Sequence, residues 1–214
     1  MLRTAALLLS LMLLLSGCGA NKEEKYSTYV RSYITAAYLG DGTEYIKSTD
    51  SNADAARQLH DQTVDRLARS LCSYYSLDIT EDSELYAKML EIAGSVYAKA
   101  KFEVSAARKE EGGYYVDVTV SPIDFLSSNH EKMKAYVDGY NARVDAGEFN
   151  DIEKEEYERT FASGILDFLQ GSTNEITYRE PKTISVKISE GTNSFSLGAN
   201  ELKAIDELII AVTE

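Results

Sequence analysis

The side chains that most often carry catalytic chemistry are scarce in this 214-residue chain. It contains two cysteines, Cys18 and Cys72, and two histidines, His60 and His130. A nucleophilic Cys72 needs a histidine partner, and only these two histidines could supply one. His60 follows Leu59 on a helical pattern, where a helix-surface or edge role is expected. His130 lies in a polar stretch typical of a helix start, where we expect exposure, so the sequence predicts an inert, buried thiol at Cys72.

Recognisable catalytic and metal-binding motifs are absent from the sequence. It contains no Gly-x-Ser-x-Gly elbow, no His-Glu-x-x-His pair, no paired cysteines and no calcium loop of alternating acidic residues. The acidic run at 151–158 is explained by the preference of carboxylates for the first turn of a helix. We therefore expect no metal, no cofactor and no enzymatic activity.

Carboxylates provide the alternative, a small enzyme with acids in a cone-shaped pocket. The candidates are Glu103, Asp117 and Asp124, because a buried carboxyl acquires a raised pKa suited to proton transfer. Strand alternation places Glu103 and Asp117 opposite the apolar face, toward solvent. That placement favours a binding domain over the enzyme.

Tyrosine is unusually abundant, with 15 residues and no tryptophan. Four tyrosines share one face of the first helix, and we take them as the candidate binding residues: Tyr26, Tyr29, Tyr33 and Tyr38. Exposed rings of this kind could bind glycans or peptides, because they give contact area at low entropic cost. The alternative is that the rings pack on a sheet with their hydroxyls at its rim.

The N-terminus has the layout of a secretory signal. Arg3 precedes an apolar run from Ala5 to Leu15, which is far shorter than the roughly 20 residues of a membrane-spanning helix. The run ends in Leu15-Ser16-Gly17-Cys18, which resembles the lipobox of bacterial lipoproteins. The resemblance implies that residues 1–17 are a signal peptide and that Cys18 is diacylated (diacylglycerol and palmitate). It also implies a mature protein anchored at the extracytoplasmic face of the cell membrane.

Removal of residues 1–17 leaves 197 residues and, with the loss of Arg3, a net charge near −14. Such a surface repels nucleic acid and anionic headgroups, so the acyl chains must hold the protein at the membrane. Residues 18–25 form the anchor and a short tether in this interpretation. Residues 26–214 form a single domain, because no linker or low-complexity tract divides them.

Hydrophobic periodicity predicts the elements of that domain. Gly40 ends the first helix, Asp50 or Ser51 caps the second, and Thr80 and Asp82 precede the third. The predicted order is helices at about 26–39 and 52–75, a third helix, a hairpin pairing 102–106 with 114–120, helices at about 129–146 and 151–169, a hairpin pairing 184–188 with 194–197, and a helix at 199–213.

The start of the first helix is similar to that of many small secreted Gram-positive lipoproteins of unassigned function. The matching residues are Tyr29-Val30, Tyr33 and the run from Ala37 to Asp41. Those domains resemble the nuclear-transport-factor-like cone or the cystatin-like sheet wrapped on a helix. The order of the predicted elements itself indicates an α+β fold with helices packed on a curved antiparallel sheet of about four strands, here with an inserted helical pair. The lipobox, the absence of catalytic motifs and the tyrosine-rich first helix together favour non-catalytic binding of an unidentified extracellular ligand or protein.

A weak internal repeat links two of the predicted helices. Tyr29-Val30, Tyr33 and Gly40 recur at a constant offset in four residues further along the chain: Tyr136, Val137, Tyr140 and Gly147. The pattern has two alternative explanations, the shared requirements of amphipathic helices and an ancient duplication.

Overall fold

A computed structural model describes residues 22–81, 83–191 and 195–211. The lipobox and Cys18 lie outside these residues, as do Asp82 and the last predicted helical position, Thr213. The helices are α1 covering 22–39, α2 Thr43–Thr49, α3 Ala53–Tyr74, α4 Glu84–Tyr97, α5 Leu126–Asp145, α6 Lys154–Ser172 and α7 Ala199–Ile209. The strands are β1 Lys101–Val104, β2 Arg108–Glu110, β3 Gly113–Ser121, β4 Ile123–Asp124, β5 Thr177–Tyr178, β6 Lys182–Glu190 and β7 Phe195–Leu197.

The fold is α+β, as predicted, with helices packed on a curved antiparallel sheet. The main sheet has the order β1-β3-β6-β7, with β2 also paired to β3. The inward side chains of β3, Tyr114, Val116, Val118 and Val120, are at most 8% exposed and alternate with half-buried residues. This period of two is the pattern of a strand with one face on a core. Helix α7 packs on β3 and β6, and α4 packs against both α3 and α6.

A β-bulge divides the predicted first strand into β1 and β2. Val104 pairs with Val118 and Arg108 pairs with Tyr115, so four steps on one side oppose three on the other. The extra residue changes which side chains face inward. Ala107 is therefore buried, whereas Ala106, which the sequence predicted to face inward, is exposed.

The N-terminal half of the domain departs from prediction before the predicted start of α1 and after Gly42. Residues 22–25, predicted as part of the tether, are already helical in α1. The predicted loop after Gly42 contains the short helix α2. Gly40 does end α1, with a φ of +75° that suits glycine at this position.

The N-terminal cap of α3 is Asn52, and the predicted caps Asp50 and Ser51 are wrong. The Asn52 side chain accepts a hydrogen bond from the backbone N–H of Ala55 at 2.8 Å. Asp50 cannot take this role because it ends α2 in the left-handed conformation, with φ +53°. The cap of α4 is likewise Ser83, which accepts from the N–H of Tyr86 at 3.1 Å.

The cap assignment predicts different effects on stability for two neighbouring substitutions. Asn52→Ala should lower the free energy of unfolding by about 1 kcal/mol, because it leaves an N–H of the first turn without an acceptor. Ser51→Ala should be neutral or stabilising, because the buried Ser51 hydroxyl has no hydrogen-bond partner among the described residues. Urea denaturation of both variants checks this; a larger loss from Ser51→Ala would contradict the assignment.

Candidate functional site

The four predicted binding tyrosines lie mainly in the core. Tyr26, Tyr29 and Tyr38 are 4%, 8% and 3% exposed, and Tyr33 is half-buried. The rings of Tyr26 and Tyr29 each meet Phe195 edge-on at 5.0 Å between centroids. The packing alternative therefore describes these rings, and their role in ligand binding stays an untested prediction.

Cys72 and His60 occupy structural positions. Cys72 is buried, and burial raises the pKa of its thiol, the opposite of what a nucleophilic thiolate requires. His60 Nδ1 lies 3.0 Å from the carbonyl oxygen of Ala37, so it joins α3 to the end of α1. His130 is exposed, as predicted. Among the described residues, no group of three or more potential ligands could hold a metal ion.

The carboxylates of the enzyme alternative do not share an enclosed pocket. Glu103 is exposed, and Asp117 lies on the solvent face of the sheet, with its Oδ1 2.7 Å from Nη1 of Arg108. The hydrogen bond from Arg108 lowers the pKa of Asp117, whereas a general acid needs a raised one. Asp124 lies 3.3 Å from Nη2 of Arg179.

Removal of the Arg108 guanidinium should raise the pKa of Asp117. A lowered pKa in the folded state contributes stability above the unfolded pKa, and this contribution is lost as pH falls through the folded pKa. Arg108→Gln should therefore weaken the acid dependence of stability, and NMR titration of the Asp117 carboxyl should show the upward shift. Lys109→Gln is the matched control, and an equal shift there would refute the specific pairing.

A small apolar cleft between α3 and α7 combines apolar walls with convergent polar groups. We call it the α3–α7 cleft; its volume is about 180 Å³. Its lining residues are Arg66, Leu67, Ser70, Leu71, Tyr74, Tyr97, Leu126, Asp206, Glu207 and Ile210. Tyr74 at the rim is 49% exposed, unusually high for a large hydrophobic side chain in this domain. Apolar walls with a few polar groups are the usual composition of a small-molecule site.

Asp206 and Tyr97 lie on the polar side of the cleft, and Tyr38, which is not a lining residue, bonds Asp206 from within the core. The hydroxyl of Tyr38 donates to Asp206 Oδ1 at 3.0 Å, and Nη2 of Arg66 lies 3.6 Å from the same oxygen. Burial, followed by the charge of Asp206, raises the pKa of Tyr38 and of Tyr97. Both phenols therefore stay protonated at neutral pH, and the Tyr97 hydroxyl forms no hydrogen bond with any residue that the structure describes. It is free to bond a ligand.

A larger groove lies between α5 and α6, with a volume of about 880 Å³. The Tyr136 hydroxyl lies against Gly164, where an added Cβ would come within 1.8 Å of it. Arg143 lies over the rings of Tyr140 and Phe149 and pairs with Glu148. The groove lining carries Arg143, Arg159, Glu155, Glu156 and Asp167. This mixture of charges on an open surface favours no single ligand chemistry, so the α3–α7 cleft is the better candidate.

Local sequence patterns do not identify the cleft residues, because these residues come from separate elements. Arg66, Tyr97 and Asp206 lie on α3, α4 and α7 and are joined only by the tertiary fold. One local signal could have found Asp206. It lies four residues after Leu202 and three before Ile209, so helical spacing places a carboxylate beside the apolar stripe of α7.

The fold is similar to that of ycdA, a candidate lipoprotein from Bacillus subtilis subsp. subtilis str. 168 whose crystal structure was solved at 2.62 Å resolution. The TM-score is 0.65 at 16% sequence identity, over 89% of this chain and 57% of the other. The chain thus spans little more than half the length of that protein. At this identity the likeness shows a shared fold alone. No family model and no curated protein matches the sequence.

Proposed function

We propose that this chain is a lipoprotein anchored at the extracytoplasmic face of the cell membrane through Cys18. The tetrad Leu15-Ser16-Gly17-Cys18 carries this proposal, and the description of the structurally similar ycdA as a candidate lipoprotein supports it. Within the described residues, no helix has the length and apolar character needed to cross a membrane. Two acyl chains suffice for stable attachment, whereas one gives only marginal binding.

Membrane fractionation of the full-length protein in a lipoprotein-processing bacterium tests the anchor. The wild type should sediment with membranes. Cys18→Ala should lose its diacyl attachment, so a smaller fraction of it should enter the detergent phase than of the wild type. The other cysteine provides a matched control, because Cys72 is buried in the domain. Cys72→Ala should fractionate like the wild type. Unchanged detergent partitioning of Cys18→Ala would contradict the proposal.

We further propose that the domain acts by binding, without catalysis, and that the α3–α7 cleft receives an apolar group of the ligand or partner protein. The cleft volume of about 180 Å³ matches a benzene-sized body, since an apolar cavity of about 150 Å³ holds benzene. The free hydroxyl of Tyr97 supplies a directional hydrogen bond. The lining carries two carboxylates, Asp206 and Glu207, against one guanidinium, Arg66, and this excess of negative charge favours neutral or cationic groups over anions.

NMR titration of the mature domain with phenol, benzylamine and phenylacetate tests this assignment. Phenol and benzylamine should shift the resonances of the cleft residues, and phenylacetate should bind more weakly. Ser70→Trp places a large ring at the cleft and should abolish the shifts. Ser73→Trp is the control on an exposed position of the same helix outside the cleft lining. Shifts that survive Ser70→Trp would place the probes elsewhere and contradict the assignment.

A further inference from the structure

The N-terminal end of α1 is fastened to one end of the sheet. Lys22 Nζ lies 2.9 Å from Glu190 Oε1, and the Tyr26 hydroxyl donates to the same carboxylate. The hydrogen bond from Tyr26 lowers the pKa of Glu190 most, and the hydrogen bond from Lys22 lowers it further. Lys25 Nζ lies 4.9 Å above the Phe195 ring. We call this end of the sheet, with the β2–β3 turn at 110–113, the hairpin end.

The α3–α7 cleft lies at the opposite end of the sheet. Strand β3 leaves the hairpin end at Gly113 and reaches the far end at Ser121, which pairs with Lys101 at the start of β1. The cleft residue Tyr97 closes the helix just before β1, and Ile210 bridges to Ile123 just beyond β3. Helix α1 spans the same path, since Tyr26 bonds at the hairpin end and Tyr38 at the cleft. Twelve helical residues separate these tyrosines by about 18 Å.

The distance between Cys18 and the hairpin end is bounded by covalent geometry. Four residue steps lie between Cys18 and Lys22. A fully extended chain gains at most about 3.6 Å per residue, so the two Cα atoms are at most about 14 Å apart. An anchor at Cys18 therefore holds the hairpin end, and not the cleft, next to the bilayer.

The charges at the hairpin end are compatible with a headgroup surface. Four exposed lysines lie there in a chain of net charge −13: Lys22, Lys25, Lys109 and Lys187. Glutamates are interspersed among them, so this end is close to neutral. Anionic headgroups repel it less than they repel the rest of the surface, and the acyl chains supply the affinity.

We infer that the hairpin end faces the phospholipid bilayer and that the α3–α7 cleft opens away from it, toward the extracellular space. This inference rests on the proposed acylation of Cys18. It assigns the membrane-facing surface to the β2–β3 turn around Glu111 and to the end of β6 at Glu190. It leaves the cleft accessible to partners that cannot approach the bilayer.

Site-specific fluorescence quenching tests the orientation on the complete lipidated protein. Two exposed glutamates are replaced singly in a Cys72→Ala background: Glu111→Cys at the hairpin end and Glu207→Cys at the cleft. Acylated Cys18 does not react, so a maleimide fluorophore labels only the new thiol. The protein is reconstituted in phosphatidylcholine–phosphatidylglycerol vesicles with a nitroxide-headgroup lipid, and flotation measures its attachment separately.

The label at position 111 should lose most of its fluorescence, and the label at position 207 should stay bright. Equal quenching, or stronger quenching at position 207, in protein that floats with the vesicles overturns the orientation and leaves the anchor intact. Acylated protein that fails to float overturns the proposed anchor and with it this inference. A Cys18→Ala version of each labelled variant should show no quenching.

Discussion

Replacement of Phe125 by alanine should lower the free energy of unfolding by about 3–5 kcal/mol. Phe125 is 1% exposed and lies between β4 and α5, where the end of the sheet meets the helical layer. Its backbone carbonyl oxygen also accepts a hydrogen bond from the Asn129 side chain at 2.7 Å, which fixes the backbone at the start of α5. Truncation would leave a cavity in this closely packed region.

Phe102→Ala is the matched control for that prediction. Phe102 lies on the edge strand β1 and is only half-buried. Phe102→Ala should therefore lower the free energy of unfolding clearly less than Phe125→Ala does. Guanidinium denaturation of the mature domain, with m-values compared, measures both effects. Equal losses at the two positions would contradict the assignment of Phe125 to the core.

Replacement of two glycines by alanine should change the stability of the fold in opposite directions. A Cβ at Gly42 would come within 2.5 Å of the Ala56 Cβ, so Gly42→Ala forces α2 away from α3 and should destabilise the fold by about 1–3 kcal/mol. A Cβ at Gly94, inside α4, meets nothing within 4 Å. Gly94→Ala should therefore stabilise the fold by about 0.5–1 kcal/mol, because alanine favours a helix interior.

Thermal denaturation of the two variants separates these effects, since the midpoints should move in opposite directions. A rise in midpoint for Gly42→Ala would show that the α2–α3 contact is looser than described. A fall for Gly94→Ala would show that an unrecognised neighbour fills the space beside α4.

The order of elements could be predicted from the sequence because each element repeats its burial pattern several times. Strand β3 shows four inward residues in strict alternation, and all four are buried. The bulge could not be predicted in the same way. Ser105, Ala106 and Ala107 are all small, so either phase of alternation satisfies the local pattern, and the pairing with β3 decides between them.

Local ambiguity also explains the wrong cap. Asp50, Ser51 and Asn52 are all good capping residues, and the choice depends on where α2 ends. The α1 tyrosines pose the same difficulty, because a tyrosine suits both a core and a binding surface. The assignment to a nuclear-transport-factor-like or cystatin-like family stays a prediction, while the α+β fold is confirmed.

Apart from Asp206, the residues of the candidate site could not be identified from sequence patterns because the site is assembled from four helices. Leu71, Tyr97, Leu126 and Asp206 meet only after α3, α4, α5 and α7 have packed. The anchor, by contrast, is encoded in four consecutive residues, so the sequence locates it without any knowledge of the fold. The two proposals therefore depend on independent observations.

The intact mass of the protein extracted from membranes tests the central proposal, acylation of Cys18, most directly. We expect a wild-type mass that lacks residues 1–17 and carries a diacylglycerol-sized addition. Cys18→Ala should lack that addition, and Cys72→Ala should retain it. A wild-type protein with an uncleaved or unmodified N-terminus would contradict the proposed acylation of Cys18.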